Sequence, residues 1–353
     1  MANYKEIQGF SVETLSADPL VLNVWSTEGN IGTARYQHRM AGTSSAAILF
    51  QGNSLSPYDN LNSTETWNGT SWAAANNALF YTRGGIGWGT QSSAICGSGY
   101  AGTGGGSGAV TTCNKWDGTS WTSTGSTSGS AMTDSAAAGA DASSGIMAGG
   151  WDGPSVSTAA EVFNGSTWAS SPATASPGQA VDNMCAGIKT SAMLWGGDVV
   201  PRGAQTTQTW NDTSWSASPA AMVNLTGGDT GVQGGSGTGA SASSAIATGG
   251  QTKPAGTNNF NTMLWDGTSW TASSASIASP AAYSMGTAGT KSAAIITGGR
   301  GPAPGSKNQC QTFTGAPAPA ASTVAIEGQM WYNTASETLK TYDGSTIKTV
   351  TAT

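Results

Sequence analysis

Trp67-Asn68-Gly69-Thr70-Ser71-Trp72 is the first of five copies of a motif that begins and ends with an aromatic residue. The other copies are WDGTSW at 116–121, FNGSTW at 163–168, WNDTSW at 210–215 and WDGTSW at 265–270. Asn-Gly and Asp-Gly favour tight turns between strands because these residues tolerate positive φ. Each copy therefore predicts a β-hairpin with one aromatic residue on each side of its turn.

A second element alternates with the aromatic motif. It is a short apolar run that ends in glycine, as in SAMLWGG at 191–197. Units that recur about every 50 residues and contain four short strands each are typical of propeller blades. Alignment on the last glycine gives six copies, at Gly52, Gly99, Gly150, Gly197, Gly250 and Gly299.

The sixth aromatic pair is divided between the two ends of the chain. Phe313 supplies its first member and Trp25 its second. A repeat that begins and ends within a unit predicts an all-β, six-bladed β-propeller closed by N- and C-terminal half-repeats. The aromatic residues assigned to packing between blades are Trp25, Trp67, Trp72, Trp116, Trp121, Phe163, Trp168, Trp210, Trp215, Trp265, Trp270 and Phe313.

The composition excludes several classes of protein. The 353 residues include 51 glycines and 14 tryptophans, but only 9% are charged and the net charge is −6. The chain has no apolar run long enough for a membrane-spanning helix, so no membrane insertion is expected. It has no clustered basic face, so no nucleic-acid partner is expected. With one histidine and widely spaced cysteines we predict no metal site and no cofactor.

The four cysteines fit no metal-binding or disulfide framework. Buried free thiols are the favoured interpretation. A disulfide between Cys96 and Cys113 stays open as an alternative, because the two residues fall on neighbouring predicted strands.

The sequence divides into three segments. Residues 21–316 contain the repeat, residues 1–20 form an N-terminal docking segment, and residues 317–353 begin with a Pro/Ala linker. A C-terminal β-hairpin is predicted around 334–337. Because a lone hairpin is marginal in water, it should pack on the propeller, on the N-terminal segment or on another chain.

The repeat resembles kelch repeats, which fold as β-propellers. The sequences WDGTSW and GTKSAAIITGG (residues 289–299) are similar to those of kelch-like virion proteins of marine tailed bacteriophages, cyanophages among them. Gln51 and Ser98 depart from this pattern, because they stand where a glycine pair is usual. The resemblance implies a virion structural protein, made in the host cytoplasm and located on the tail or outer surface.

Both outer segments should leave the propeller at the face with the constant aromatic turns, so the loops of variable length should lie on the opposite face. Loops on a rigid scaffold commonly carry binding. Aromatic residues in or near these loops are the candidates for surface binding, namely Tyr58, Trp88, Tyr100, Trp151 and Phe260.

We predict no enzymatic activity and no catalytic residues. The loop aspartates Asp134, Asp152, Asp198 and Asp229 are expected to be solvated. The arginines are spread along the sequence, so we predict no arginine cluster. They are Arg35, Arg39, Arg83, Arg202 and Arg300. His38 is expected to be structural.

The expected function is a tail-associated fibre or appendage subunit that attaches to a glycan or protein of the host surface. Residues 1–20 and 317–353 would bind other virion proteins, and a homo-oligomer is expected. One alternative is a decoration or adaptor protein of the capsid or tail with a purely assembly role. The other is a glycan-cleaving propeller enzyme.

Overall fold

A computed structural model describes residues 13–15, 23–55, 58–102, 108–129, 131–153, 155–171, 182–199, 202–203, 206–220, 222, 232–252, 257–278, 283–301, 305–315, 330–333, 337–342 and 347–350. All regular secondary structure in these residues is β, as the sequence predicted. No helix in the described part of the chain could span a membrane. The chain forms two compact units, of which one contains Trp25–Thr314 and the other the residues before and after it.

The larger unit contains six four-stranded sheets. In every sheet, each strand is hydrogen-bonded to the strand named after it. Sheet 1 consists of Arg39–Gly42, Ala47–Phe50, Thr64–Trp67 and Trp72–Ala75. Sheet 2 consists of Ile86–Thr90, Ser93–Gly97, Cys113–Trp116 and Trp121–Thr124. Sheet 3 consists of Ala136–Asp141, Ser144–Trp151, Val156–Phe163 and Trp168–Ser170.

The remaining three sheets repeat this order. Sheet 4 consists of Met184–Ile188, Ser191–Trp195, Thr207–Trp210 and Trp215–Ser218. Sheet 5 consists of Ser236–Ser241, Ser244–Thr248, Asn261–Trp265 and Trp270–Ser276. Sheet 6 consists of Gly286–Thr290, Ala293–Thr297, Cys310–Thr314 and Val24–Glu28. Sheet 6 therefore takes its fourth strand from the N-terminal part of the chain.

The first strands of successive sheets are neighbours, and the first strand of sheet 6 lies beside that of sheet 1. Just before each first strand, one residue has a φ between 51° and 59°. The backbone N–H of each such residue donates to the carbonyl of the equivalent residue in an adjacent sheet, at 2.6 to 3.2 Å. The six bonds form a closed cycle, the hydrogen-bond ring, through Gln37, Ser284, Gly234, Asp182, Asp134 and Gly84.

The aromatic motifs form turns at the ends of the strands that lie away from this ring. In each copy the side-chain oxygen of the second residue accepts two backbone N–H bonds, at 2.8 to 3.1 Å. These amides stabilise the charged carboxylate, so they lower the pKa of Asp117 and Asp266 below the ordinary value. The predicted positive φ is found at the third residue, at Gly69, Gly118, Gly165, Asp212 and Gly267.

The aromatic residues of the motif pair with each other within every sheet. The six pairs, including Trp25 with Phe313, have ring centroids 5.1 to 5.4 Å apart. The first member of each pair is at most 2% exposed. These aromatic residues pack with aliphatic side chains of their own and adjacent sheets into clusters that fill the space between sheets.

The six aligned glycines all lie in the left-handed region, with φ between 94° and 120°. The residue before each of them also has a positive φ, between 53° and 69°. Gln51 and Ser98 adopt this conformation without being glycine, and each donates a side-chain hydrogen bond to a backbone carbonyl, that of Phe80 or of Met132. These bonds offset part of the cost of the left-handed conformation.

All four cysteines are free thiols, three of them buried and Cys185 half-buried. Cys96 and Cys113 lie on adjacent strands of sheet 2, one register position apart. The favoured interpretation of the sequence, free thiols, is therefore the one that the structure contains.

The smaller unit contains one four-stranded sheet, with strands Glu13–Leu15, Met330–Asn333, Thr338–Tyr342 and Ile347–Thr349. Met330–Asn333 and Thr338–Tyr342 form the predicted antiparallel hairpin. Glu13–Leu15 pairs with Met330–Asn333 in parallel, so of the expected packing partners the N-terminal segment is the one observed. The other residues of the predicted segment 1–20 and the Pro/Ala linker at 316–320 lie outside the described residues.

Candidate functional site

A cavity of about 290 Å³ lies at the hydrogen-bond ring. It is lined by five of the six ring residues and by side chains that flank them. We name it the arginine–tyrosine cavity, and its residues are Tyr36, Gln37, Arg83, Tyr100, Thr133, Asp134, Asp182, Gly234, Tyr283, Ser284 and Arg300.

The walls of the cavity are built by a backbone pairing that recurs from sheet to sheet. At five of the six ring positions, the residue before the ring residue pairs antiparallel with the residue that follows the aligned glycine. The pairs are Tyr36 with Asn53, Arg83 with Tyr100, Thr133 with Trp151, Gln233 with Gln251, and Tyr283 with Arg300.

These pairings begin the loops between the second and third strands, which the sequence shows to vary in length. Several of these loops form short hairpins beyond the four-stranded sheets, with strands Asn53–Leu55, Tyr58–Asn60, Tyr100–Ala101, Gly108–Ala109, Asp198–Val199, Arg202–Gly203, Gln251–Thr252 and Thr257–Asn258. Two further strands, Thr82–Arg83 and Val232–Gln233, lie just before first strands and pair with Tyr100–Ala101 and Gln251–Thr252. The variable loops therefore lie at the end of the strands opposite the aromatic turns, as predicted.

Arginines stack on tyrosines in the cavity wall. The Arg300 guanidinium carbon lies 5.1 Å from the ring centroid of Tyr36 and 5.7 Å from that of Tyr283. The Arg83 guanidinium carbon lies 4.8 Å from the centroid of Tyr100, and its Nη1 donates to Asn60 Oδ1 at 3.3 Å. The prediction that the arginines do not cluster is wrong for Arg83 and Arg300, because the first strands of sheets 2 and 6 both lie beside that of sheet 1 and the two arginines line one cavity.

Two carboxylates from the hydrogen-bond ring lie on the same cavity. Gln37 Nε2 donates to Asp134 Oδ1 at 2.9 Å. Burial raises the pKa of Asp134, and attraction to Arg39 opposes that rise. The prediction of a solvated loop carboxylate is therefore wrong for Asp134, which is half-buried and interacts with Gln37, Arg39, Arg83 and Thr133. The side chain of Asp198 and all of Asp229 lie outside the described residues.

Arg39 is the third arginine near this place. Its Nε donates to the Gly85 carbonyl at 2.5 Å, and its charge attracts Asp134 and Asp182. Burial lowers the pKa of Arg39, while that attraction opposes the shift. Arg39 begins the first strand of sheet 1, so it supports the carboxylates from the strand side of the ring.

A second cavity of about 170 Å³ is lined by the six first strands. Most of its lining residues are glycine, alanine, serine and threonine, and the hydroxyls of Thr238 and Thr287 donate across it to backbone carbonyls. His38 also borders it and contacts Thr297 Oγ1 through Nε2 at 2.8 Å. His38 Nδ1 and Ser135 Oγ, two buried polar atoms of its lining, have no hydrogen-bond partner among the described residues, but its described lining contains no arginine stacked on a tyrosine ring as the arginine–tyrosine cavity does.

The aromatic residues predicted to bind at the surface lie in different environments in the structure. Tyr100 lines the arginine–tyrosine cavity, and Trp151 is 39% exposed beside it, paired with Thr133. Phe260 is half-buried and packs against Ile277 and its neighbours. The backbone of Tyr58 is in a hairpin, but its side chain lies outside the described residues.

Trp88 is not a surface residue, and its prediction as a binding candidate is wrong. It is 4% exposed and packs edge-on against Phe163 and Trp168 of the adjacent sheet. Gly139 and Gly145 leave the space for its indole, because a side chain at either position would collide with it.

The sequence interpretation missed most of the cavity. Tyr36, Arg83, Tyr283 and Arg300 were not candidates, since each looks like an ordinary loop residue. The available signal is positional, because each either precedes a ring residue or follows an aligned glycine. Among the described residues, no group of three or more His, Cys, Asp or Glu side chains could hold a metal ion.

Comparison with protein-family models and with curated proteins found no matching family and no matching protein.

Proposed function

We propose that the six sheets are the blades of a closed, six-bladed, kelch-like β-propeller. Two observations support this proposal. The strand Val24–Glu28 completes the sheet that contains Cys310–Thr314, and the hydrogen-bond ring returns to its starting residue. The resemblance of the repeat to kelch sequences supports it as well.

We further propose that the chain is a virion structural protein of a tailed bacteriophage, a tail-associated subunit that attaches to the host surface. The observation that carries this proposal is the arginine–tyrosine cavity, which lies among the variable loops on a rigid framework. The constant aromatic turns lie at the other strand ends. Residues 1–20 and 317–353 would hold the subunit to other virion proteins, and further copies of the chain would assemble with it.

Binding to host cells tests this function. Labelled full-length protein is added to host cells at increasing concentration, with excess unlabelled protein as competitor. Attachment predicts saturable binding that the competitor removes. Binding that stays linear and uncompeted would contradict attachment and favour the decoration or adaptor role.

One observation favours glycan cleavage as a second candidate. Asp134 and Asp182 lie on one cavity, and burial raises the pKa of Asp134, as for a carboxyl group that donates a proton. Release of reducing ends from host polysaccharide, lost in Asp134→Asn, would support cleavage. Equal release by Asp134→Asn and the wild-type protein would exclude these carboxylates as its source.

A further inference from the structure

We propose that the arginine–tyrosine cavity binds a carboxylated sugar of the hexuronic acid type, with the sugar carboxylate on Arg300 and Arg83. The inference rests on the proposed attachment function, because it names the ligand of that same face. It is drawn from how Arg300 is positioned and from the chemistry of the residues around it in the cavity wall.

The environment of the Arg300 side chain is the central observation. Its guanidinium is held between the rings of Tyr36 and Tyr283, which fixes its position. Within the described part of the chain, the N–H groups of this guanidinium donate to no protein acceptor and its charge has no acidic partner within salt-bridge distance. A planar cation with five donors, positioned by aromatic faces in a cavity wall, matches a carboxylate.

Arg83 supplies a second cation on the same cavity. Its guanidinium stacks on Tyr100, as that of Arg300 stacks on Tyr36 and Tyr283. Sheets 2 and 6 flank sheet 1, so the two arginines approach the cavity from either side of Tyr36. Together they make one half of the cavity basic and aromatic.

The other half of the cavity is suited to hydroxyl groups. It carries Thr133, Asp134 and Asp182, which offer hydroxyl and carboxylate oxygens, and Ser284 adds a hydroxyl next to Tyr283. Asp134 is close enough to Arg83 for their charges to attract. Carboxylates accept hydrogen bonds from sugar hydroxyls but repel phosphate groups, whose charge is higher than that of one carboxylate. A monoanion that also carries several hydroxyls therefore fits both halves, whereas a polyphosphate or nucleic acid does not.

The size of the cavity is consistent with a ligand of this kind. Its volume of about 290 Å³ lies just below the usual range for small-molecule sites, so it suits a ligand as small as one sugar unit. The whole chain has a net charge of −6, so it does not attract anions over long distances. Anion recognition must therefore come from the local arginines.

Binding of single sugars to the purified full-length protein tests the inference. Isothermal titration or saturation-transfer NMR is carried out with glucuronate, galacturonate and mannuronate. The neutral sugars glucose, galactose and mannose are the matched ligands without a carboxylate, and acetate is the carboxylate without a sugar. At least one uronate should bind about tenfold or more tightly than both its neutral counterpart and acetate.

Three variants locate the site. Arg300→Gln and Arg83→Gln should each weaken uronate binding about tenfold, because each removes a charge-assisted contact. Lys291→Gln is the control of equal charge change, since Lys291 lies in the turn of sheet 6 at the opposite strand ends. Circular dichroism and the thermal midpoint check that each variant is folded.

The outcomes that overturn the inference are distinct. Equal affinity for a uronate and its neutral counterpart would exclude carboxylate recognition, and equal affinity for acetate would exclude a sugar site. No binding of any uronate, or unchanged binding in a folded Arg300→Gln, would also overturn it. Saturable cell binding without uronate binding would overturn this inference alone, and uronate binding without cell binding would overturn only the attachment function.

Discussion

Trp25 and Phe313 lie with their ring centroids 5.2 Å apart, although they come from opposite ends of the repeat region. The indole Nε1 of Trp25 also donates to Thr262 Oγ1 of sheet 5 at 2.8 Å. Trp25 thus joins the N-terminal strand to two C-terminal sheets. Because this strand completes sheet 6, its anchoring residue should contribute to the stability of the whole larger unit.

Trp25→Ala should lower the free energy of unfolding by about 2 kcal/mol or more, because it removes a half-buried aromatic side chain and a hydrogen bond. Chemical denaturation followed by tryptophan fluorescence measures the change. Leu79→Ala is the control, because Leu79 is 58% exposed and its removal should change stability by no more than about 0.5 kcal/mol. Equal effects of the two variants would show that Trp25 does not anchor the closing strand.

Asp212→Gly should stabilise the protein by about 0.5 kcal/mol or more. Asp212 has a φ of 78° where the other four motif copies have glycine, so the variant relieves a left-handed non-glycine residue. The change also removes the exposed ion pair of Asp212 with Lys189, at 2.7 Å. Measurement at high salt minimises that loss.

Gly267→Asp is the reciprocal change at an equivalent position. It places a side chain where φ is 100°, and it should destabilise the protein by about 1 kcal/mol. Thermal unfolding of both variants beside the wild type gives the comparison. A loss of stability in Asp212→Gly at high salt would contradict the explanation that the third residue of the motif has a left-handed conformation that glycine adopts with less strain.

His38 should make stability depend on pH. Burial, followed by repulsion from Arg35 and Arg39, holds the pKa of His38 well below 6.5 in the folded protein. Below pH 6.5, His38 therefore binds a proton in the unfolded chain more readily than in the folded protein. The contribution of His38 to stability is complete above pH 6.5 and is lost as the pH falls below it, by up to about 1.4 kcal/mol per pH unit.

Urea unfolding at pH 7.5 and pH 5.5 measures this contribution. Asp134 has a raised pKa and acts in the opposite direction, so the comparison is made with His38→Gln under the same conditions. His38 is the only histidine, and the wild type should lose more stability than the variant between these two pH values. An identical loss in both proteins would show that His38 is not the group responsible.

The four thiols should be unreactive in the folded protein. Burial raises the pKa of Cys113, Cys185 and Cys310 to about 12, and that of Cys96 well above its ordinary value. A thiol-specific chromogenic disulfide at pH 8 should therefore react only slowly with the folded protein. After unfolding in the absence of reductant, the same reagent should react with four thiols per chain. Two reactive thiols after unfolding would indicate the Cys96–Cys113 disulfide instead.

The repeat was predictable because its signals are local. The aromatic motif specifies its own turn, and the aligned glycines occur where the backbone has φ near 100°. The Trp25–Phe313 pairing followed from counting repeat halves. These features depend only on short segments and on the number of their copies.

The cavity was not predictable because it depends on how the sheets are arranged around sheet 1. Arg83 and Arg300 are distant in sequence and line one cavity only because sheets 2 and 6 both flank sheet 1. Trp88 was misassigned because its burial depends on two glycines of another sheet, which the sequence around Trp88 does not reveal.

A buried polar position on the third strands was missed for the same reason. Glu161 is 1% exposed and accepts N–H bonds from Ser128 and Gly129, and Glu65 accepts from Gly32 and Arg35. Asn114 accepts from the Leu79 N–H. Each of these three side chains binds the loop that leads from the fourth strand of one sheet to the first strand of the next. Its role can therefore be seen only when neighbouring sheets are placed together.

A cryo-EM map of intact tailed-phage particles tests the proposed attachment role most directly. The proposal predicts density for the six-sheet unit on the tail, with the arginine–tyrosine cavity and the variable loops facing solvent. Density for this unit with other virion proteins against both of its faces and the cavity covered would contradict attachment and favour an assembly role.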